Sequence, residues 1–150
     1  MAIFQHILIP VAEEEDARAT CAALQPYLED IERVTAVHVI EKAGGAPDKA
    51  PLEKRREDAS DFLAIVDSTL SESVTVDTRT IFATDIVPAL FTATADAGAD
   101  AIAFRARGGS QIMRMLTGDI TTNLVTDPEV PVISLPHLEA NDGEANAGRI

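Results

Sequence analysis

The chain is read as an α/β protein, a doubly wound, open, five-stranded parallel sheet with helices on both faces. Three observations predict it. Short apolar runs rich in Ile and Val alternate with longer amphipathic ones from one end of the chain to the other. Strands separated by helices need crossover connections, which make the strands parallel and cover both faces of the sheet. Finally, 150 residues make one domain, and 46% hydrophobic residues supply a core of its own.

The elements follow in order. Residues 3–11, IFQHILIPV, are too short for a helix and end near Pro10, so they predict a buried strand. Residues 16–28 place Cys21, Leu24 and Leu28 at helical spacing, and Pro26 inside that pattern should kink or shorten the helix. A second β-rich run spans 34–40, VTAVHVI, and residues 41–51, with Gly44, Gly45 and Pro47, have the chemistry of a loop. Residues 52–70 carry apolar side chains at 52, 59, 63, 66 and 70, a helical stripe opposite a solvated face that includes Lys54, Arg55 and Arg56. The alternation in 74–82 predicts a strand close to an edge. Thr84 is the expected N-cap of the next helix, Pro88 sits in its first turn, and Gly98 ends it. Residues 100–104, DAIAF, predict a short buried strand, and residues 112–125 a helix interrupted by Gly118. The last strand, VPVISL, runs from Val130 to Leu135 with Pro131 near its start. One domain over 1–136 and a polar, disordered tail over 137–150 are expected, with no repeat and no linker between domains.

Charge narrows the function. There are 25 acidic and 12 basic residues, a formal net charge of −13. Nucleic-acid affinity comes mainly from Lys and Arg, so a nucleic-acid partner is not expected. Adsorption to an anionic membrane surface is disfavoured for the same reason, and no apolar stretch is long enough for membrane insertion. The apolar start lacks a basic flank and runs into Glu13, Glu14 and Glu15, unlike a secretion signal. A single cysteine, Cys21, excludes an internal disulfide and fits a reducing, cytoplasmic setting. The acids are spread over every segment, with three lysines against nine arginines. Such a surface suits a halophilic protein working where salt screens charge over only about 3 Å, at about 1 M. An ordinary acidic cytosolic protein is the alternative.

An open doubly wound sheet binds ligands outside the carboxyl ends of its strands, beside the point where strand order reverses. That directs attention to Pro10, Val11 and Ala12 after the first strand, Val39 near the end of the second, and the stretch from Arg105 to Asp119, RARGGSQIMRMLTGD. A glycine-containing turn between strand and helix can present backbone N–H groups to an anion, and the helix N-terminus adds positive potential. Arg105, Arg107 and Arg114 lie there within ten residues with no acid among them, and the first two could clamp an anion through their forked donors. The plain alternative is that Gly108 and Gly109 make a turn and the arginines pair with nearby carboxylates.

These features together resemble the universal stress protein family. The likeness rests on the five-strand order, a first strand ending in Pro10 and Val11, the His38-Val39-Ile40 sequence of the second, the Gly98-Ala99-Asp100 run before the fourth, and the Pro131-Val132 run of the fifth; it covers about residues 3–136. Nucleotide-binding members follow the fourth strand with Gly, two residues, Gly, nine residues, then Gly and Ser or Thr. On that pattern the glycines fall on Gly108 and Gly118, while Arg105 replaces the first glycine and Asp119 the hydroxyl residue. The aspartate that meets ribose or base corresponds to Ala12, and the backbone that meets adenine to Val39. A bulky Arg105 blocks close backbone approach to phosphate, and Asp119 puts a carboxylate where a phosphate oxygen would sit. These departures from the family's pattern leave the cofactor open. ATP held in the usual way is not expected: either ATP binding is lost, or the site has changed to another anion or nucleotide.

Other residues imply structure. His6, His38 and His137 share no ligand spacing, and His6 and His38 are expected as satisfied sheet histidines. Cys21 has no orienting base nearby in sequence, the acids 13–16 complement a helix dipole, and Met113 and Met115 fill a core or interface. The implied function is a small cytoplasmic stress-response or regulatory protein, not an enzyme and without a metal. Members of the family commonly pair through the last strand, so the resemblance implies a homodimer through Val130 to Leu135, and an apolar strand lacking charged gatekeepers supports that transfer. A nucleotide-binding stress protein with weak or no hydrolysis, and an interaction module regulating a protein partner such as a transporter, are the alternatives.

Overall fold

The computed structural model describes residues 4–41, 49–105 and 118–136. Its elements run β1 (His6–Pro10), α1 (Glu14–Leu24), a 3₁₀ segment (Gln25–Asp30), β2 (Arg33–Glu41), α2 (Lys49–Leu70), β3 (Thr75–Ala83), α3 (Ile86–Ala97), β4 (Ala101–Phe104), α4 (Gly118–Thr126) and β5 (Val132–Ser134). The five strands form one parallel sheet in the order β3-β2-β1-β4-β5. The expected fold class holds.

Handedness explains the layering. Crossovers between parallel strands are right-handed, so β1, β2 and β3, advancing in one direction, put α1 and α2 on one face. The chain then crosses to the other side of β1, which puts α3 and α4 on the opposite face. Two separate apolar clusters result. Ile7, Ile9 and Val34 pack with Cys21, Leu24, Leu63 and Val66 beneath α1 and α2. Leu8, Val37, Ile102 and Phe104 pack with Leu90, Phe91 and Leu124 beneath α3 and α4. Alternate residues of β1 thus feed different clusters, the period-2 rule of a strand covered on both faces.

Local chemistry sets the boundaries. Pro26 shortens the first helix as expected: α1 stops at Leu24, and the chain continues as 3₁₀ helix with proline in its first turn. Gly98 closes α3 at φ 75°, the left-handed region, where Ala99 N–H reaches the Thr94 carbonyl at 3.0 Å. The expected cap at Thr84 is corrected. Asp85 holds the N-cap position in extended conformation, and its side chain makes no capping hydrogen bond. α2 begins at Lys49, earlier than the expected 52, with Pro51 in the first turn, where its missing N–H costs nothing. β5 is shorter than the expected 130–135 and leaves Pro131 outside. Gly118 begins the described part of α4, and the expected helical residues 112–117 lie outside the described residues, as does the tail from 137.

Candidate functional site

Strand order reverses between β1 and β4, and β1 is the strand from which the chain departs in both directions. Its carboxyl end is held from three sides. Val11 is fully buried and donates its N–H to Val37 O at 2.8 Å. The Val11 carbonyl accepts a hydrogen bond from His38 Nδ1 at 2.7 Å. Ala12 N–H donates to Asp16 Oδ2 at 2.8 Å, and Asp16, only 2% exposed, is turned into the protein at the start of α1. Pro10 and Val11, both expected at the site, are buried and do not line the cavity beside this end.

Beside this end lies a cavity of about 280 Å³, walled by Ala12, Glu13, His38, Val39, Ile40, Glu41, Arg55 and Ile86. Ala12 and Val39, both expected at the site, are brought together here. Val39 is buried on the α3 face of β2, and His38, the next residue back, projects to the other face and meets Phe62 of α2 edge-on at 5.6 Å. A carbonyl only accepts, so the proton of neutral His38 sits on Nδ1 and Nε2 carries the lone pair. Burial pulls the His38 pKa below its ordinary value, and the nearby Arg55 guanidinium pushes it the same way; the bond to the Val11 carbonyl and the charge of Asp58 oppose them. The ring is neutral at pH 7.

Arg55 enters from α2. Its Nη2 donates to the Glu41 carbonyl at 2.7 Å, which lays a half-buried guanidinium over the carboxyl end of β2. Periodicity places Arg55 on a solvated face, and the missed signal is positional: a helix that follows a parallel strand starts over the strand's carboxyl end, where ligands bind. Glu41 and Ile86 were missed for the same reason, being at the end of a strand and the start of a helix.

Arg105 follows β4 immediately, is half-buried, and takes part in none of the ion pairs among the described residues. It does not line the cavity at Ala12 and Val39. Arg107, Gly108 and Gly109 lie outside the described residues, and Gly118 and Asp119 open the described part of α4. Cys21 is buried, and burial, with Asp16 nearby, pushes its thiol up to about 12, far from nucleophile range. Among the described residues no cluster of His, Cys, Asp and Glu is arranged to hold a metal ion, and no helix is long and apolar enough to cross a membrane.

The fold agrees with comparisons to known proteins. The universal stress protein family model matches residues 3–136. The chain belongs to the universal stress protein family. Solved members share its fold at low sequence identity. A universal stress protein family member from Burkholderia pseudomallei is 18% identical, with 91% of this chain and 98% of that one covered at a TM-score of 0.71. The Archaeoglobus fulgidus universal stress protein solved in complex with dAMP is 17% identical, with 89% and 99% covered at 0.61. An Arabidopsis thaliana family member solved with AMP bound is 12% identical, with 92% and 94% covered at 0.63. No curated protein sequence matches the chain.

Proposed function

We propose that this universal stress protein is a small cytoplasmic stress-response or regulatory protein that works by binding and not by catalysis, and that it does not hold ATP in the usual way of its family. The end of β1 carries the reading. Position 12 offers a methyl group, and Asp16, the buried carboxylate beside it, accepts the Ala12 N–H and does not line the cavity. Arg105 at the end of β4 supports it, since a half-buried guanidinium stands where the family's pattern needs a glycine. Thermal unfolding with ATP, ADP, AMP and inorganic phosphate tests the proposal. A ligand at one hundred times its Kd stabilises the folded state by about 2.7 kcal/mol. No shift with ATP is expected; an ATP shift that Arg105→Gly leaves unchanged would overturn the reading.

A second reading is a site for a smaller nucleotide. The cavity at Ala12 and Val39 favours it, as do the family members solved with dAMP and AMP. AMP stabilising the protein while ATP does not would select it. Regulation of a protein partner is the reading that remains if no small ligand binds.

The proposed form is a homodimer joined along β5. This strand is an outer edge of the sheet, and beside it runs an apolar groove of about 460 Å³ lined by Phe4, Ile7, Leu24, Tyr27, Ile133 and Leu135. Tyr27 stands 43% exposed at its border. A second copy pairing here would cover that surface. Light scattering on the eluting protein checks it, and a strict monomer overturns it.

A further inference from the structure

The two outer strands of the sheet differ. β5 has three residues and β3 has nine. β3 is bonded to β2 in unbroken parallel register from Thr75 to Ala83, and no described strand pairs with its other side. Nor does a helix cover that side among the described residues. α3 stands back from it, leaving a groove of about 570 Å³ between Arg79 and Ile81 on β3 and Ala89, Thr92 and Asp96 on α3. At ~3.3 Å per residue, such a strand presents an edge of about 30 Å. It contains no proline, no lysine and no bulge, the devices that usually keep an edge from pairing. What it does contain is one acid and one base. Asp77 and Arg79 share a face, 3.8 Å apart and 48% and 38% exposed, on either side of the exposed Thr78.

We propose that the β3 edge is an interface with a second copy of this chain, the two β3 strands running antiparallel about a two-fold axis at Thr78. The order of charges selects this register. Asp77 of each copy then opposes Arg79 of the other, so one contact contains two opposite-charge pairs. Val76 opposes Thr80, and Thr75 opposes Ile81. Moving the axis to residue 77 sets Asp77 against its own copy, and moving it to residue 79 sets Arg79 against its own. Both neighbouring registers are repulsive, as like charges directly opposed on adjacent strands are. The contact goes beyond the β5 pairing and is independent of it. Were both edges to pair, two different two-fold axes would build assemblies larger than a dimer.

A cross-link reads the β3 contact alone. The native thiol, Cys21, is buried and does not compete. Directly opposed residues of antiparallel strands have Cα atoms about 4.5–5.5 Å apart, within disulfide reach. Thr78→Cys should therefore give a covalent dimer under mild oxidation. Thr80→Cys should not, because the two copies of residue 80 lie about 13 Å apart along the paired strands at ~3.3 Å per residue. In the Thr78→Cys background, Asp77→Arg or Arg79→Asp should each slow cross-linking about tenfold, and the double swap should restore it. Equal cross-linking at 78 and 80, or a double swap no faster than the singles, overturns the proposal. Neither result depends on whether β5 pairs.

Discussion

The two ends of the sheet use the same kinds of residue to opposite purposes. At the amino ends, Asp100 Oδ2 accepts the N–H groups of both Gln5 and His6 at 2.9 Å, and His6 Nε2 meets the buried Thr35 hydroxyl at 2.7 Å. These groups are closed on one another and tie the start of β1 to β2 and to the turn before β4. At the carboxyl ends, His38 and Arg55 each hold one carbonyl, of Val11 and Glu41, and both line the cavity there. A histidine and a charged side chain serve as a clip at one end and as the wall of a site at the other. The difference lies in how much of each group's hydrogen-bonding capacity the fold consumes.

Breaking the clip should have the largest effect on stability. Asp100→Ala removes the acceptor of two backbone amides, but both bonds are exposed and water takes over part of their role. The expected cost in urea unfolding is about 1 kcal/mol, with Asp100→Asn costing less because an acceptor remains. The amides of His6 and Gln5 hold the Asp100 carboxyl below its ordinary 3.8. The folded state thus binds fewer protons there than the unfolded one. Its contribution is full above pH 3.8 and fades as pH falls through the folded value. An Asp100→Ala variant as stable as the parent at pH 7 would show that the clip does not hold the sheet.

The two histidines sharpen the comparison at milder pH. Both are drawn below 6.5, chiefly by burial, and a charged arginine adds to this in each case, Arg33 for His6 and Arg55 for His38. Both are bases kept neutral, so the unfolded chain takes up protons first as pH falls. Stability should be full above pH 6.5 and decline below it, down to the folded values. His6→Gln and His38→Gln should each flatten the decline between pH 7.5 and 5.5 in urea unfolding. A wild-type protein equally stable at both pH values would remove the basis for treating either ring as a buried neutral base.

The fold was legible in the sequence because period and punctuation agree: Pro26 and Gly98 mark the ends of α1 and α3, and the five strands read as β-branched runs. The cap of α3 was not legible, since Thr84 and Asp85 are both good capping residues and neither side chain bonds the helix. The site was legible only where backbone position defines it, at Ala12 and Val39. The strand position of His38 implies a bonded sheet histidine, as its Nδ1 contact shows, but its second role as a wall of the cavity follows from which carbonyl it holds. Arg55 sits on what a helical wheel shows as a solvated face. Its place over β2 depends on a bond to a carbonyl fourteen residues earlier in the chain, a relation that no local pattern encodes.

Arg55 is also where the comparison gives its smallest expected stability change. A half-exposed arginine holding one strand-end carbonyl, which water can replace, should move stability by no more than about 0.5 kcal/mol when changed to alanine. The same substitution removes the guanidinium from the wall of the cavity, so any anion or nucleotide seated there should lose its thermal shift. Stability and binding should therefore separate in Arg55→Ala, whereas Asp100→Ala should lower stability and leave the ligand response of the remaining folded protein intact. Should Arg55→Ala cost as much stability as Asp100→Ala, its bond to Glu41 is a clip like the one at the other end. The contrast between a closed amino end and an open carboxyl end then fails at that residue.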